Sequence, residues 1–137
     1  MKILRKSGCN INCINRSCCT AFYAACHEGQ YEIVKYLIEC EEIDKNKRNC
    51  RSETSFWIAC ERGFVRIVRL LLENGVNIET SNESGLTPFE VACLNERWLI
   101  VSFLLNIGVI ITDKCFEYVN MLVVNNFIGD EILFYFL

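Results

Sequence analysis

The sequence predicts an all-α solenoid, a stack of antiparallel helix pairs joined by hairpin-like loops. Three blocks of twenty residues, which begin at Thr20, Thr54 and Thr87, resemble one another in a single register. The first two blocks share nine residues and the second and third share eight, so the similarity runs along each whole block. Regular spacing in the low thirties is typical of repeat arrays, whose small units must stack to bury their apolar faces.

A first helix is expected at the start of each block. The opening threonine can accept a hydrogen bond from an unpaired N–H of the first helical turn. The helix then runs for about eight residues, with the phenylalanine and the Ala–Cys pair on its buried side. Gly29 and Gly63 stand where the first two of these helices should end, because glycine adopts the positive φ of such a turn at little cost.

A second helix is expected after each turn. Its apolar residues recur at i, i+1, i+4 and i+5, which gives a wide buried face. A polar stretch rich in Asn, Ser and Gly then returns the chain to the next unit. The apolar positions are Ile33, Val34, Leu37 and Ile38 in the first unit, Ile67, Val68, Leu71 and Leu72 in the second, and Ile100, Val101, Leu104 and Leu105 in the third.

The repeats divide the chain into segments of one domain. The period places a fourth opening cap at Asn120, its turn at Gly129, and two core positions at Leu133 and Leu137. This last unit keeps the spacing but has lost most of the shared residues. The expected segments are a partial repeat over 1–14, full repeats over 15–48, 49–81 and 82–114, and a degenerate terminal repeat over 115–137.

The opening motifs point to a known family. Residues 87–92 read TPFEVA, while 54–59 and 20–25 read TSFWIA and TAFYAA. These motifs, and the segment 61–80, are similar to the ankyrin repeat, whose period is about 33 and whose first helix opens T-P-L-H-x-A. The resemblance implies an ankyrin-repeat solenoid that binds a partner protein, as a scaffold or adaptor without catalysis.

Three positions depart from the ankyrin pattern. The glycine before the opening Thr-Pro pair is kept only as Gly85, with Cys18 and Ser52 at the matching places. Glu96 replaces the turn glycine of the third unit. A non-glycine residue at positive φ costs about 1 kcal/mol. These turns are therefore expected to be either strained or rearranged.

The resemblance also implies where the partner binds. In ankyrin arrays the partner meets the concave face, formed by loop tips and the exposed side of each first helix. These positions differ most among the three blocks, as expected if each unit meets different chemistry, although solvated positions vary in the same way. The candidates are Arg16, Ser17, Cys19, His27 and Glu28 in the first unit, Arg51, Glu53, Glu61 and Arg62 in the second, and Glu83, Ser84, Leu86, Leu94 and Asn95 in the third.

Aromatic and arginine side chains offer further interpretations. Tyr23 and Trp57 occupy equivalent positions and are expected to be half-buried packing residues, with a binding hot spot at Trp57 as the alternative. Arg62, Arg66 and Arg69 follow helical spacing. They either grip an acidic partner or form the solvated side of a helix.

Ten cysteines and a single histidine raise a second class of function. Cys26 and His27 adjoin in AACHEG and could form a thiolate–imidazole pair. However, Cys26 recurs as Cys60 and Cys93 in the later blocks, while His27 does not recur, which favours the cysteine as a small core residue. A cysteine-rich metal-binding or thiol-redox protein is kept as an alternative, as is a regulatory ankyrin fragment of a larger protein.

Composition argues against several other classes. Net charge is −3 and the pI is near 5.2, which disfavours nucleic acid as a partner. The sequence shows no secretory signal and no apolar stretch of about 20 residues, so we expect no membrane partner and a cytoplasmic location, with the nucleus also compatible. No catalytic residue, cofactor or metal site is predicted. The apolar FYFL of residues 134–137 suggests self-association or a covering partner, whose identity and pathway the sequence does not reveal.

Overall fold

A computed structural model describes residues 11–124, in which there are seven helices and no β-strand. Three antiparallel pairs are followed by one further helix. The helices are α1 Ala21–His27, α2 Tyr31–Ile38, α3 Ser55–Arg62, α4 Val65–Glu73, α5 Pro88–Leu94, α6 Trp98–Asn106 and α7 Asp113–Val124. The first helices α1, α3 and α5 pack side by side, the second helices α2, α4 and α6 form a parallel layer, and α7 packs on α5. The predicted all-α solenoid is therefore confirmed.

Each first helix is capped at its N-terminus by the predicted threonine. The hydroxyl oxygens of Thr20, Thr54 and Thr87 accept from the backbone N–H three residues further on. In the third unit the Glu90 carboxylate also accepts from the N–H of Thr87, and Pro88 occupies the first turn. These bonds satisfy N–H groups that have no partner inside the helix.

The core lies between the two layers of helices. Phe22, Phe56 and Phe89 are at most 2% exposed, and the Ala–Cys pairs of the first helices are buried beside them. The second helices bury a narrower face than predicted, since Leu72 and Leu105 are only partly buried and Ile33 is exposed. Ile33 lies on α2, at the end of the layer of second helices that the described residues form. In that layer α2 has a neighbour, α4, on one side only.

The fourth unit opens earlier than the period predicts. α7 begins at Asp113, where the hydroxyl oxygen of Thr112 lies 3.4 Å from the N of Cys115, so Asn120 lies inside a helix and does not cap one. The prediction was wrong because the connection over residues 107–112 lacks the hairpin that residues 74–87 form between α4 and α5. Gly129, Leu133 and Leu137 lie outside the described residues, as do residues 1–10 and the FYFL segment.

An asparagine closes the tip of each hairpin. The Oδ1 atom of Asn49 accepts from the N–H groups of Arg51 and Glu53, both at 2.9 Å. Asn15 and Asn82 make the same pair of bonds in their own hairpins. An asparagine stands five residues before each opening threonine, so the hairpin tips have a repeated signal in the sequence.

A second set of bonds joins the loops of successive units. The Oδ1 atoms of Asn12 and Asn46 accept from the N–H of Asp44 at 2.7 Å and from the N–H of Asn77 at 2.8 Å. Glu79 accepts from the N–H of Ile110 at 3.3 Å. Each unit therefore supplies a side-chain acceptor to the backbone of the unit that follows.

The three turns that lack the family glycine are strained and keep their shape. Cys18 and Ser52 have φ of 60° and Glu96 has φ of 58°, all in the left-handed region. Gly85, which occupies the matching position of the third hairpin, has φ of 79°. The hairpins thus share one geometry, and the first two adopt it without the residue that adopts it most easily.

We expect the substitution Ser52→Gly to raise the free energy of unfolding by about 0.5–1 kcal/mol, because it relieves a left-handed non-glycine residue. Urea unfolding followed by circular dichroism measures this gain. The reverse change Gly85→Ser, at a position where an added Cβ meets nothing within 4 Å, is the matched control and should cost about 1 kcal/mol. Destabilisation by Ser52→Gly would contradict the strain argument.

Candidate functional site

The hairpin tips and first helices line two adjoining grooves. The first groove, of about 570 Å³, lies between the first and second units, and the second groove, of about 430 Å³, extends toward the third. Both include Tyr23, His27, Arg51 and Glu53, so they form one continuous surface. The first groove is also lined by Asn15, Arg16, Ser17, Cys19, Ala24, Glu28, Asn49 and Cys50, and the second by Ile58, Glu61, Arg62, Asn95 and Arg97.

Ten of the fourteen candidate residues lie in these grooves, which places most of the predicted site on one surface. The other four are Glu83, Ser84, Leu86 and Leu94. The N–H of Glu83 donates to the carbonyl of Arg51 at 2.8 Å, so the third hairpin tip abuts the second. Leu94 is exposed on α5. Cys50 and Arg97 line the grooves but were missed, although Cys50 falls one period after Arg16.

Glu53 differs most from its predicted role. Its side chain is buried, with only 7% exposed, and its Oε2 accepts from the Tyr23 hydroxyl at 2.7 Å and from Asn49 Nδ2 at 3.1 Å. Because Tyr23 belongs to the preceding unit, the carboxylate links two repeats. Glu53 therefore joins the first two units, and little of its side chain is exposed in the grooves that it lines.

The two aromatic residues at the base of the first helices are also internal. Tyr23 and Trp57 are 7% and 4% exposed, so they are more deeply buried than the half-buried packing residues that were predicted. The Trp57 indole donates to the carbonyl of Leu86 at 3.0 Å, which ties the second unit to the third. Burial, followed by the bond to Glu53, raises the pKa of Tyr23 far above its ordinary value.

The adjoining Cys26 and His27 do not form a thiolate–imidazole pair. Cys26 is fully buried, and burial raises the pKa of its thiol to about 12. The His27 ring instead stacks on Tyr23, with centroids 6.3 Å apart, and its Nδ1 lies 2.9 Å from Glu28 Oε1. The cysteine is a core residue, as its recurrence at Cys60 and Cys93 predicted, while His27 and Glu28 face the first groove.

The three arginines at helical spacing lie on two surfaces, with Arg62 apart from Arg66 and Arg69. Arg62 belongs to α3 and lines the second groove, while Arg66 and Arg69 belong to α4. Arg66 lies over the Tyr31 ring at 4.1 Å and Arg69 over the Phe103 ring at 5.7 Å. These are cation–π contacts to the units on either side. Arg66 and Arg69 thus join the second helices of neighbouring units.

Charge in the first groove is uneven because its carboxylates already have partners. Glu28 is paired with His27, and Glu53 accepts from Tyr23 and Asn49. Over residues 11–124, the guanidinium groups of Arg16 and Arg51 make no hydrogen bond or ion pair, and both residues are exposed. The groove therefore holds two carboxylates that already have hydrogen-bond partners and two exposed guanidinium groups whose donors are unused.

Within residues 11–124, no group of three or more His, Cys, Asp or Glu side chains is placed to hold a metal ion. None of the helices in that part of the chain combines the length and apolar character that a membrane span requires.

The fold and the repeated hairpins define a helical-repeat protein. Residues 1–82 and 41–115 match the family profile described as ankyrin repeats (3 copies), which together cover most of the chain. The chain belongs to the ankyrin-repeat family. Ankyrin repeats are generally protein–protein interaction modules and are typically non-catalytic. A search of curated proteins gave no significant match.

Proposed function

We propose that this chain is a non-catalytic scaffold or adaptor that binds a partner protein across the two grooves. The observation that carries the proposal is the convergence of nine variable, chemically distinct positions on one continuous surface, with the buried Glu53 left out of the count. Structural residues of the same repeats, such as the capping threonines, recur unchanged in all three units. Variation is therefore concentrated where a partner would make contact, as in interfaces that obtain specificity from a few side chains.

The partner segment should carry carboxylates where it meets the first groove. The guanidinium groups of Arg16 and Arg51 are exposed and form no ion pair among the described residues, while the carboxylates of Glu28 and Glu53 accept hydrogen bonds from other side chains. Guanidinium binds carboxylate with two parallel hydrogen bonds, which adds geometric specificity to charge attraction. The net charge of the chain is −3, which does not attract an acidic partner at long range. Recognition of the partner therefore depends on local contact with the arginines.

We expect the substitution Arg51→Glu to weaken partner binding by about tenfold or more, because Arg51 lies in both grooves and its reversal places like charges in contact. The measurement is quantitative affinity capture from the source organism with the wild-type and variant chains, followed by titration of the captured protein. Circular dichroism of both chains establishes that the variant is folded.

The matched control is Lys35→Glu, the same charge change on the exposed side of α2, which lines neither groove. It should leave binding unchanged. A partner lost equally from both variants would indicate a non-specific charge effect. A partner that binds Arg51→Glu as well as wild type would place the interface elsewhere on the chain.

A further inference from the structure

Two thiols on the wall of the first groove point at the same oxygen. The Sγ atom of Cys19 lies 3.4 Å from the carbonyl oxygen of Ser17, and the Sγ atom of Cys50 lies 3.5 Å from that oxygen. The two sulfurs can therefore be no further apart than the sum of these distances. Cys19 follows the tip of the first hairpin and Cys50 lies in the tip of the second, so the pair spans two units.

The backbone around both cysteines is fixed by its own hairpin. Asn15 Oδ1 accepts from the N–H of Cys19 at 3.0 Å, and Asn49, next to Cys50, accepts from the N–H groups of Arg51 and Glu53. Asn49 Nδ2 also lies 3.9 Å from the Cys19 sulfur. Both cysteines are thus carried by hairpins whose backbones are held by side-chain hydrogen bonds.

Most other described cysteines are not available for oxidation. Cys26, Cys40, Cys60, Cys93 and Cys115 are buried, whereas Cys50 is exposed and Cys19 is partly exposed in an open groove. Site-selective oxidation follows exposure and access. Cys13 is exposed and Cys18 partly exposed, which makes them the competitors that an experiment must distinguish.

We propose that Cys19 and Cys50 are a disulfide-forming pair, which joins the first two hairpin tips when the protein meets a peroxide. This modification site goes beyond the proposed scaffold function and does not depend on it. Formation of an S–S bond of about 2.05 Å requires both thiols to leave the Ser17 carbonyl and turn toward each other.

The chemistry proceeds in two steps with hydrogen peroxide as the oxidant. The exposed Cys50 thiolate attacks one peroxide oxygen, the O–O bond breaks, and the departing hydroxide takes up a proton to give water and a Cys50 sulfenic acid. The Cys19 thiolate then attacks the Cys50 sulfur, the S–O bond breaks, and a second water leaves. The two thiols lose two electrons and two protons in total, and one peroxide is reduced to two waters.

Burial raises the pKa of Cys19 above its ordinary value, despite the opposing bond from Asn49. Cys19 is therefore suited to the second step, in which it resolves a sulfenic acid already formed on its neighbour. The rate of that step should rise with pH, because a larger fraction of Cys19 is then thiolate.

The test uses the full chain, oxidised with a small excess of hydrogen peroxide and then alkylated to block free thiols. Trypsin cleavage after Arg16, Lys35, Arg48 and Arg51 places Cys50 in peptide 49–51 and Cys19 in peptide 17–35. We expect these two peptides to be the main cross-linked species and to separate on reduction. Peptide 17–35 also contains Cys18 and Cys26, so variants assign the bond.

The expected pattern is that Cys18→Ser and Cys13→Ser keep the cross-link, while Cys19→Ser and Cys50→Ser lose it. Oxidation should also raise the urea midpoint of the wild-type chain, and reduction should return it. A main cross-link that joins another pair, that persists in Cys19→Ser, or that joins two chains would overturn the proposal. So would complete recovery of both cysteines as free thiols after peroxide treatment that oxidises Cys13.

Discussion

Replacing Phe56 with alanine is expected to lower the free energy of unfolding by about 4 kcal/mol, since truncation of a buried phenylalanine leaves a cavity that neighbours fill only in part. Phe56 is 1% exposed on α3, which packs between α1 and α5. The substitution destabilises the middle unit, which packs against the first unit on one side and the third unit on the other. In a repeat array each unit contacts only its neighbours, so the stability of the middle unit determines whether all the units unfold in one cooperative transition.

The measurement is urea unfolding at neutral pH, followed by circular dichroism and by tryptophan fluorescence. Leu99→Ala is the matched control, because Leu99 is apolar and helical but 66% exposed on α6. Its truncation should change stability by less than about 0.5 kcal/mol. Equal losses for the two variants would contradict the assignment of the phenylalanines to the core.

Alkaline pH is expected to destabilise the fold steeply from about pH 9. Burial raises the pKa of Cys26 to about 12, and it raises the pKa values of Cys60 and Cys93 well above the ordinary thiol value of 9.0. The native state then keeps protons that the unfolded chain has released. Stability from these thiols is complete below pH 9 and falls as pH rises toward the folded values, by about 1.4 kcal/mol per pH unit for each thiol.

Three such thiols together should cost about 4 kcal/mol per pH unit once the unfolded thiols have ionised. Tyr23 adds a loss of the same sign above pH 10, because its pKa is also raised from an ordinary value of 10.0. Urea midpoints at pH 8, 9 and 10, measured with reductant present, give the slope.

Two variants separate the buried thiols from other alkaline effects. Cys60→Ala should reduce the slope by the share of one thiol, about 1.4 kcal/mol per pH unit, whatever its effect on stability at pH 8. Cys13→Ser, which removes an exposed thiol, should have the wild-type slope. An unchanged slope in Cys60→Ala would show that its burial does not control the pH dependence.

The features of this fold that could be predicted from the sequence depend on hydrogen bonds between residues close together in the chain. A capping threonine satisfies the N–H three residues away and a turn glycine serves its own helix end, so both signals are visible in one repeat. The shared register then fixes how the units follow one another. Strain at Cys18, Ser52 and Glu96 was one of the two outcomes expected from the sequence, and it is the one observed, since the repeated backbone geometry demands the same φ at each position.

Features that depend on two units together were not predictable from the aligned blocks. Glu53 occupies a loop position, and its burial depends on the hydroxyl of Tyr23 in the preceding unit. From the sequence, Arg66 and Arg69 were expected either to grip an acidic partner or to lie on the solvated side of a helix. Their contacts with the rings of Tyr31 and Phe103 involve the neighbouring units and are visible only in the structure. The start of α7 was missed because extrapolating the period assumes that each connection contains a hairpin, and the one before Asp113 does not.

The bonds between successive loops make few demands on the identity of the residue that donates. Asn46 and Glu79 each offer a side-chain oxygen to a backbone N–H of the next unit, a donor that any residue except proline supplies. A tandem duplication of residues 47–79 would place the second copy's Asn77 where Ile110 now meets Glu79, and would return the second copy's Glu79 to Ile110. These loop bonds would therefore survive a lengthening of the array by duplication, whereas side-chain contacts at the same junctions, such as that of Tyr23 with Glu53, would have to be replaced.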